Sequence, residues 1–131
     1  MSSYIVRTGN LAATPELRHG ENGPYTFARI LVSDGIRQED GTYLDGPTIA
    51  YDVAVSGDKA VKLVDAATES GNIRIMFAGR YRITQYQSEN GPRLQHRVNA
   101  DEIAVSLTGQ TIRVIKTTTP DPADYGDDTP F

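Results

Sequence analysis

Through the first 116 residues, apolar side chains recur at every second position in short runs, and the runs are broken by clusters of glycine, proline and asparagine. A period of two puts successive side chains on opposite faces of an extended chain, so this pattern constrains the fold to a sheet. Residues 48–56 (TIAYDVAVS) alternate most cleanly. Ile49, Tyr51, Val53 and Val55 point one way, and Ala50, Asp52, Ala54 and Ser56 the other. Residues 25–34 place Ala28, Ile30 and Val32 opposite Phe27, Arg29 and Leu31. Residues 73–86 set Ile73, Ile75, Phe77 and Ile83 against Arg74, Met76, Ala78, Arg80, Arg82, Thr84 and Tyr86. Residues 4–11, 93–107 and 111–116 complete the expected strands. Thr14-Pro15, Gly20 to Pro24, and Ser88 to Pro92 carry turn chemistry, and Gly35 to Gly46 is expected as a long hairpin loop.

One helix is expected between the third and fourth long strands. Asp58 suits its N-cap, Ala60, Val61, Leu63, Val64 and Ala67 form an apolar stripe, and Gly71 suits its stop. Three strands, a helix and two strands is the element order of a five-stranded OB barrel. The fold class is therefore all-β with one short helix: a five-stranded OB-fold barrel with an extra C-terminal strand at Thr111–Lys116. A generic mixed β-domain has the same elements and stays open at this stage. The domain is set at 1–116. Residues 117–131 (TTTPDPADYGDDTPF) hold three prolines and only one sign of charge, so they are expected as a disordered acidic tail.

Charge first argues against a nucleic-acid partner, since 17 acidic and 13 basic residues leave a net −4. Four of the acids (Asp121, Asp124, Asp127 and Asp128) lie in residues 120–131, which hold no base. Residues 1–119 are therefore neutral, with 13 of each sign. A neutral body still binds phosphate if its arginines share a face. The absence of cysteine removes disulfides and cysteine-based zinc sites. No apolar run is long enough to span a bilayer, and the start lacks the features of a secretory signal. A cytoplasmic, nucleoid-associated location away from membranes is the expectation.

The chemistry concentrates on residues 73–86. Arg74, Arg80 and Arg82 share a face with Tyr86; guanidinium groups neutralise phosphates, and a ring stacks on any base. Phe27 and Arg29 repeat the combination on another strand, and Arg93 opens the returning strand. A wet strand face carrying ordinary surface charges is the bland alternative. His19 and His96 lack metal-ligand spacing, and no nucleophile motif, paired carboxylates or P-loop occurs, so neither metal, cofactor nor catalysis is expected. Tyr51 and Tyr81 fall on the core face by parity. At the C-terminus, Asp127, Asp128, Pro130 and Phe131 form a tip that can seat a ring in an apolar pocket while basic groups hold its carboxylates.

The chain resembles the bacterial single-stranded DNA-binding (SSB) protein family along nearly its whole length. Val6 to Arg18 (VRTGNLAATPELR) is similar to the family's GNL…DPELR opening. FARILVS at 27–33, TIAYDVAVSG at 48–57 and GRYRITQY at 79–86 are similar to its second, third and fourth strands, and DDTPF to its ending. The resemblance implies an OB fold, sequence-independent binding of single-stranded DNA, and a homotetramer. By position it implies DNA contacts at Arg18, Arg29, Arg82 and Tyr86. It also implies a tip that recruits replication, recombination and repair proteins. Asp101-Glu102-Ile103 followed by residues 111–116 resembles actinobacterial members, in which an added strand clasps two subunits.

The departures matter. Ile36, Ala50 and Ser56 stand where the family commonly has aromatics, and the chain has no tryptophan. Losing two stacking sites at about 1–3 kcal/mol each implies weaker binding than a typical member. The 15-residue tail spans roughly 20 Å as a coil and at most about 50 Å, so its tip reaches only partners near the core, or the DNA groove itself. Three rival readings remain: an oligomeric adaptor or DNA-uptake paralogue with weakened DNA affinity, an RNA binder, and an enzyme. The small, acid-containing face Ala50–Asp52–Ala54–Ser56 favours the first.

Overall fold

A computed structural model describes residues 3–117. Its elements are β1 (Ser3–Leu11), β2 (Arg18–Gly20), β3 (Gly23–Arg37), β4 (Tyr43–Ser56), α1 (Asp58–Ser70), β5 (Arg74–Ser88) and β6 (Gly91–Val105). The strands run in the order β1-β5-β6-β4-β3-β2, and β1 also pairs with β3 through Asn10–Leu31 and Leu11–Ile30. That pairing closes five long strands into a barrel. The decisive seam is the one parallel pairing, β4 on β6 from Tyr51–His96 to Ala54–Asn99. The architecture is the expected OB barrel.

Its core is what the alternation dictates. Ala28, Ile30 and Val32, then Tyr51, Val53 and Val55, then Ile75 and Phe77 are all buried, joined by Leu11, Val98 and the Ala60–Leu63–Ala67 stripe of α1. The helix plugs one end of the barrel through β3 and β4. Gly71 stops it at φ 81°, donating its N–H to Ala67 O at 2.8 Å. At the other end Gly57 holds the cap position without a side-chain bond, so Asp58 is not the expected N-cap. It is the first helical residue instead, paired to Lys62 at 2.9 Å and favourably placed at the positive end of the helix dipole.

Three further expectations are corrected. Gly35–Gly46 is not one long loop: β3 and β4 stay paired to Arg37–Tyr43, with a bulge between Ser33 and Gly35, and only residues 38–42 turn. The additional strand beside the barrel is β2, which pairs Arg18 with Tyr25. Residues 111–117 form no strand, and Val114 and Ile115 are exposed, because no sheet edge of this chain reaches them. Finally, Ile83 shares the parity of the core yet is 51% exposed. By that point β5 has left the barrel for its hairpin, where nothing lies beneath it. Residues 118–131, including the tip Asp127, Asp128, Pro130 and Phe131, lie outside the described residues.

Candidate nucleic-acid interface

The outer face of β3, β4, β6 and β5 is a continuous ladder, and its register writes the site in rows. Directly opposite residues of a ladder project from the same face. One row runs Phe27–Ala54–Asn99–Arg80, and the next Arg29–Asp52–Arg97–Arg82. Beyond them Tyr86 faces Arg93 across the β5–β6 hairpin. On the far side Arg18 faces Tyr25, which faces Ser56.

The rows meet in two adjoining clefts. The first, about 210 Å³, is walled by Arg80, Arg82, Arg97 and Asn99. The second, about 360 Å³, holds Arg29, Asp52, Tyr86, Arg93 and Gln95, with His96 at its floor. Between them Arg97 lies 5.9 Å over the Phe27 ring, and that ring meets Tyr25 edge-on at 5.7 Å. Among the described residues no carboxylate comes within 4.0 Å of Arg80, Arg82, Arg93 or Arg97. Arg29 has only a long pair to Asp52, at 3.7 Å. Phe27 (45% exposed) and Tyr86 (48% exposed) are both accessible from solvent.

The floor of the second cleft is rigid. Tyr51, buried, packs on Phe77, Tyr81 and His96, with ring centroids 5.4 to 5.8 Å apart. Tyr81 hydroxyl shares a 2.7 Å hydrogen bond with His96 Nδ1, and burial pushes its phenol above the ordinary range, the nearby Tyr51 adding to the shift. Arg7 donates to Tyr51 hydroxyl at 3.2 Å and to Asp34 Oδ1 at 2.6 Å, which ties β1 to the β3–β4 hairpin. Tyr51 and Tyr81 are thus packing residues, as their parity implies.

Of the sequence-predicted DNA contacts, Arg80 and Arg82 share the first cleft and Arg29, Tyr86 and Arg93 the second. Phe27 stands between them and Arg18 at the margin beside Tyr25. Arg74 is apart from all of these. It lies six positions, about 20 Å, along β5 from Arg80, where it pairs with Asn10, and its backbone is clasped by Gln110. Its Nε is buried with no partner. Two contributors were not singled out beforehand, Arg97 and Tyr25. Arg97 shares parity with Arg93, and Tyr25 with Phe27, so alternation alone marks them.

Such a face can hold a flexible polyanion along its arginines while rings meet unpaired bases. It is wide and shallow, and it presents neither a nucleophile with its base nor, among the described residues, a group of metal ligands. No family model and no curated protein matches the chain. Solved structures do match. The small single-stranded DNA-binding protein from Streptomyces coelicolor superposes with a TM-score of 0.70 at 24% identity, covering 82% of this chain and 96% of that one. A deletion mutant of the single-stranded DNA binding protein from Thermus aquaticus gives 0.55 at 20% identity, covering 79% of this chain and 49% of that one. The chain therefore has the fold of single-stranded DNA-binding proteins, the same fold its sequence motifs imply.

Proposed function

We propose that this chain is a member of the single-stranded DNA-binding protein family, and that it holds single-stranded DNA on the β3–β4–β6–β5 face during replication, recombination and repair. One observation carries the reading. Arg80, Arg82 and Arg97 crowd one cleft without a counterion among the described residues, on the same face as two exposed rings. Like charges directly opposite on a ladder destabilise the sheet, so a fold that retains them has a use for them. A phosphate backbone supplies the missing anions, and stacking on Tyr86 and Phe27 tolerates any base. The domain on this reading is 1–116, and 117–131 is a tail whose Asp127, Asp128, Pro130 and Phe131 recruit partner proteins. Val6 and Met76, exposed near each other on β1 and β5, support self-association, on this reading into a homotetramer.

The test is a titration of the full chain with a fluorescent single strand at several salt concentrations, with duplex DNA as competitor. Affinity should fall linearly on logarithmic axes as salt rises, and duplex should compete poorly. Equal competition by duplex, or no binding at low salt, would overturn the proposal. A second reading, an adaptor with weak DNA affinity, is favoured by Ala50, Ala54 and Ser56, which offer no ring on β4. A millimolar affinity for DNA at low salt together with a stable oligomer would support it.

A further inference from the structure

Among the described residues, Asp52 is the one carboxylate at the centre of this basic face. It stands in the ladder between Arg29 and Arg97, and its side chain is only 23% exposed. Neither arginine engages it closely. Arg29 Nη1 stays 3.7 Å from Oδ1, and the Arg97 guanidinium lies instead over the Phe27 ring. Its one short contact is with Gln95, whose Nε2 donates to Oδ2 at 2.8 Å and whose Oε1 accepts from Thr84 at 3.4 Å. Oδ1 thus keeps acceptor capacity, in the same cleft as the Tyr86 ring and Arg93.

A carboxylate in that place repels phosphates. The backbone of a bound strand is therefore held to the arginine margins, and the bases are turned inward toward Asp52. Base edges differ in what they offer it. Cytosine, adenine and guanine carry exocyclic amines that donate to a carboxylate. Thymine offers a single imino N–H flanked by two carbonyl oxygens, whose lone pairs face the carboxylate unfavourably.

Building on the single-strand reading above, we infer that Asp52 reads base edges. The second cleft favours bases with an exocyclic amine, cytosine over thymine among the pyrimidines, on top of a hold that accepts any sequence. The two pyrimidines have rings of equal size, so their comparison isolates the edge from the stack.

The experiment measures binding of matched oligocytidine and oligothymidine deoxy-strands at slightly alkaline pH, where cytosine is neutral, for the full chain and for Asp52→Asn and Asp52→Ser. The natural chain should bind oligocytidine more tightly than oligothymidine. Both variants should bind oligothymidine better, because a repelling charge is gone, while oligocytidine loses its hydrogen bond to that charge. The cytidine-to-thymidine preference should fall by about tenfold to a hundredfold, the worth of one charge-assisted hydrogen bond. Asp52→Asn should fall furthest, since its amide donates to the thymine carbonyl. An unchanged preference in both variants, or a natural chain that binds oligothymidine more tightly, overturns the inference while leaving single-strand binding intact. Failure of every strand to bind overturns the single-strand reading itself.

Discussion

Arg82 and Arg97 stand directly opposite one another on β5 and β6, two guanidinium groups on adjacent strands with Arg80 beside them. Their repulsion is a cost the free protein bears continuously and a bound phosphate removes. Replacing Arg82 with alanine should therefore move stability and binding in opposite directions. Thermal unfolding should show a gain of up to about 1 kcal/mol. The slope of log affinity against log salt should fall by about one, with binding weaker on every sequence. A variant that loses stability and keeps its salt slope would contradict the assignment of this cleft.

The rings make a separate prediction. Tyr86→Ala should weaken single-strand binding by about 1–3 kcal/mol without changing the salt slope, because a stacked ring releases no counterions. Conversely, Ala50→Trp adds a ring to the second cleft. It should tighten binding by a similar amount, and its fluorescence, the only indole signal in the chain, should be quenched by oligothymidine. An Ala50→Trp signal indifferent to DNA would remove β4 from the interface.

Gly79 tests the barrel independently of the site. It sits where β5 shifts register against β6, and a Cβ there would drive into the carbonyl of Asn99. Gly79→Val should cost about 2 kcal/mol or more in chemical denaturation, since the obstacle is backbone and cannot swing away. Because Asn99 belongs to the Arg80 row, DNA affinity should fall with it.

The phenol of Tyr81 predicts alkaline behaviour. Its ionisation is displaced upward in the folded state by burial, so the fold favours the neutral form. Stability from this group is whole below the ordinary phenol value near pH 10, and is lost as pH rises through the higher folded value. Ultraviolet titration should show late tyrosinate ionisation that Tyr81→Phe reduces, leaving the share of Tyr4, together with part of the alkaline fall in melting temperature. An unaltered titration in that variant would contradict the part-buried hydroxyl.

Deletion of residues 124–131 should tighten single-strand binding at low salt and leave it unchanged at high salt. The deletion removes Asp124, Asp127 and Asp128, three of the four acids that give the chain its excess negative charge, and on this reading such charges would compete with phosphates for the same arginines. Equal affinities at low salt would discard the competition.

The core was legible because burial enforces a period of two, so parity placed Ala28, Ile30, Val32, Val53, Val55, Ile75 and Phe77 inside. The hairpin arms were not legible. Gly35–Arg37 and Tyr43–Pro47 lack alternation, since both faces there meet solvent, and they pair only because the partner strand continues beside them. Residues 111–116 show the reverse, alternation without a ladder. Parity with Arg93 marks the face Arg97 takes, but not its partner. Its weight comes from standing opposite Arg82, a consequence of the tight turn that pairs Ser88 with Gly91 and fixes every residue beyond up to the shift at Gly79. Arg74 misled for a related reason: parity reports which face a residue takes, and nothing about how far along the strand the groove extends.

The closing of β4 onto β6 has a kinetic consequence. All four strands that carry the arginines and rings are locked edge to edge, so no strand of this face must rearrange before a nucleic acid lands. Among the described residues the ordering on binding would then fall on the nucleic acid, and encounter would be governed by the long-range pull of the guanidinium groups. Substitutions at the margins should then change arrival rates, and substitutions at the rings should change residence times.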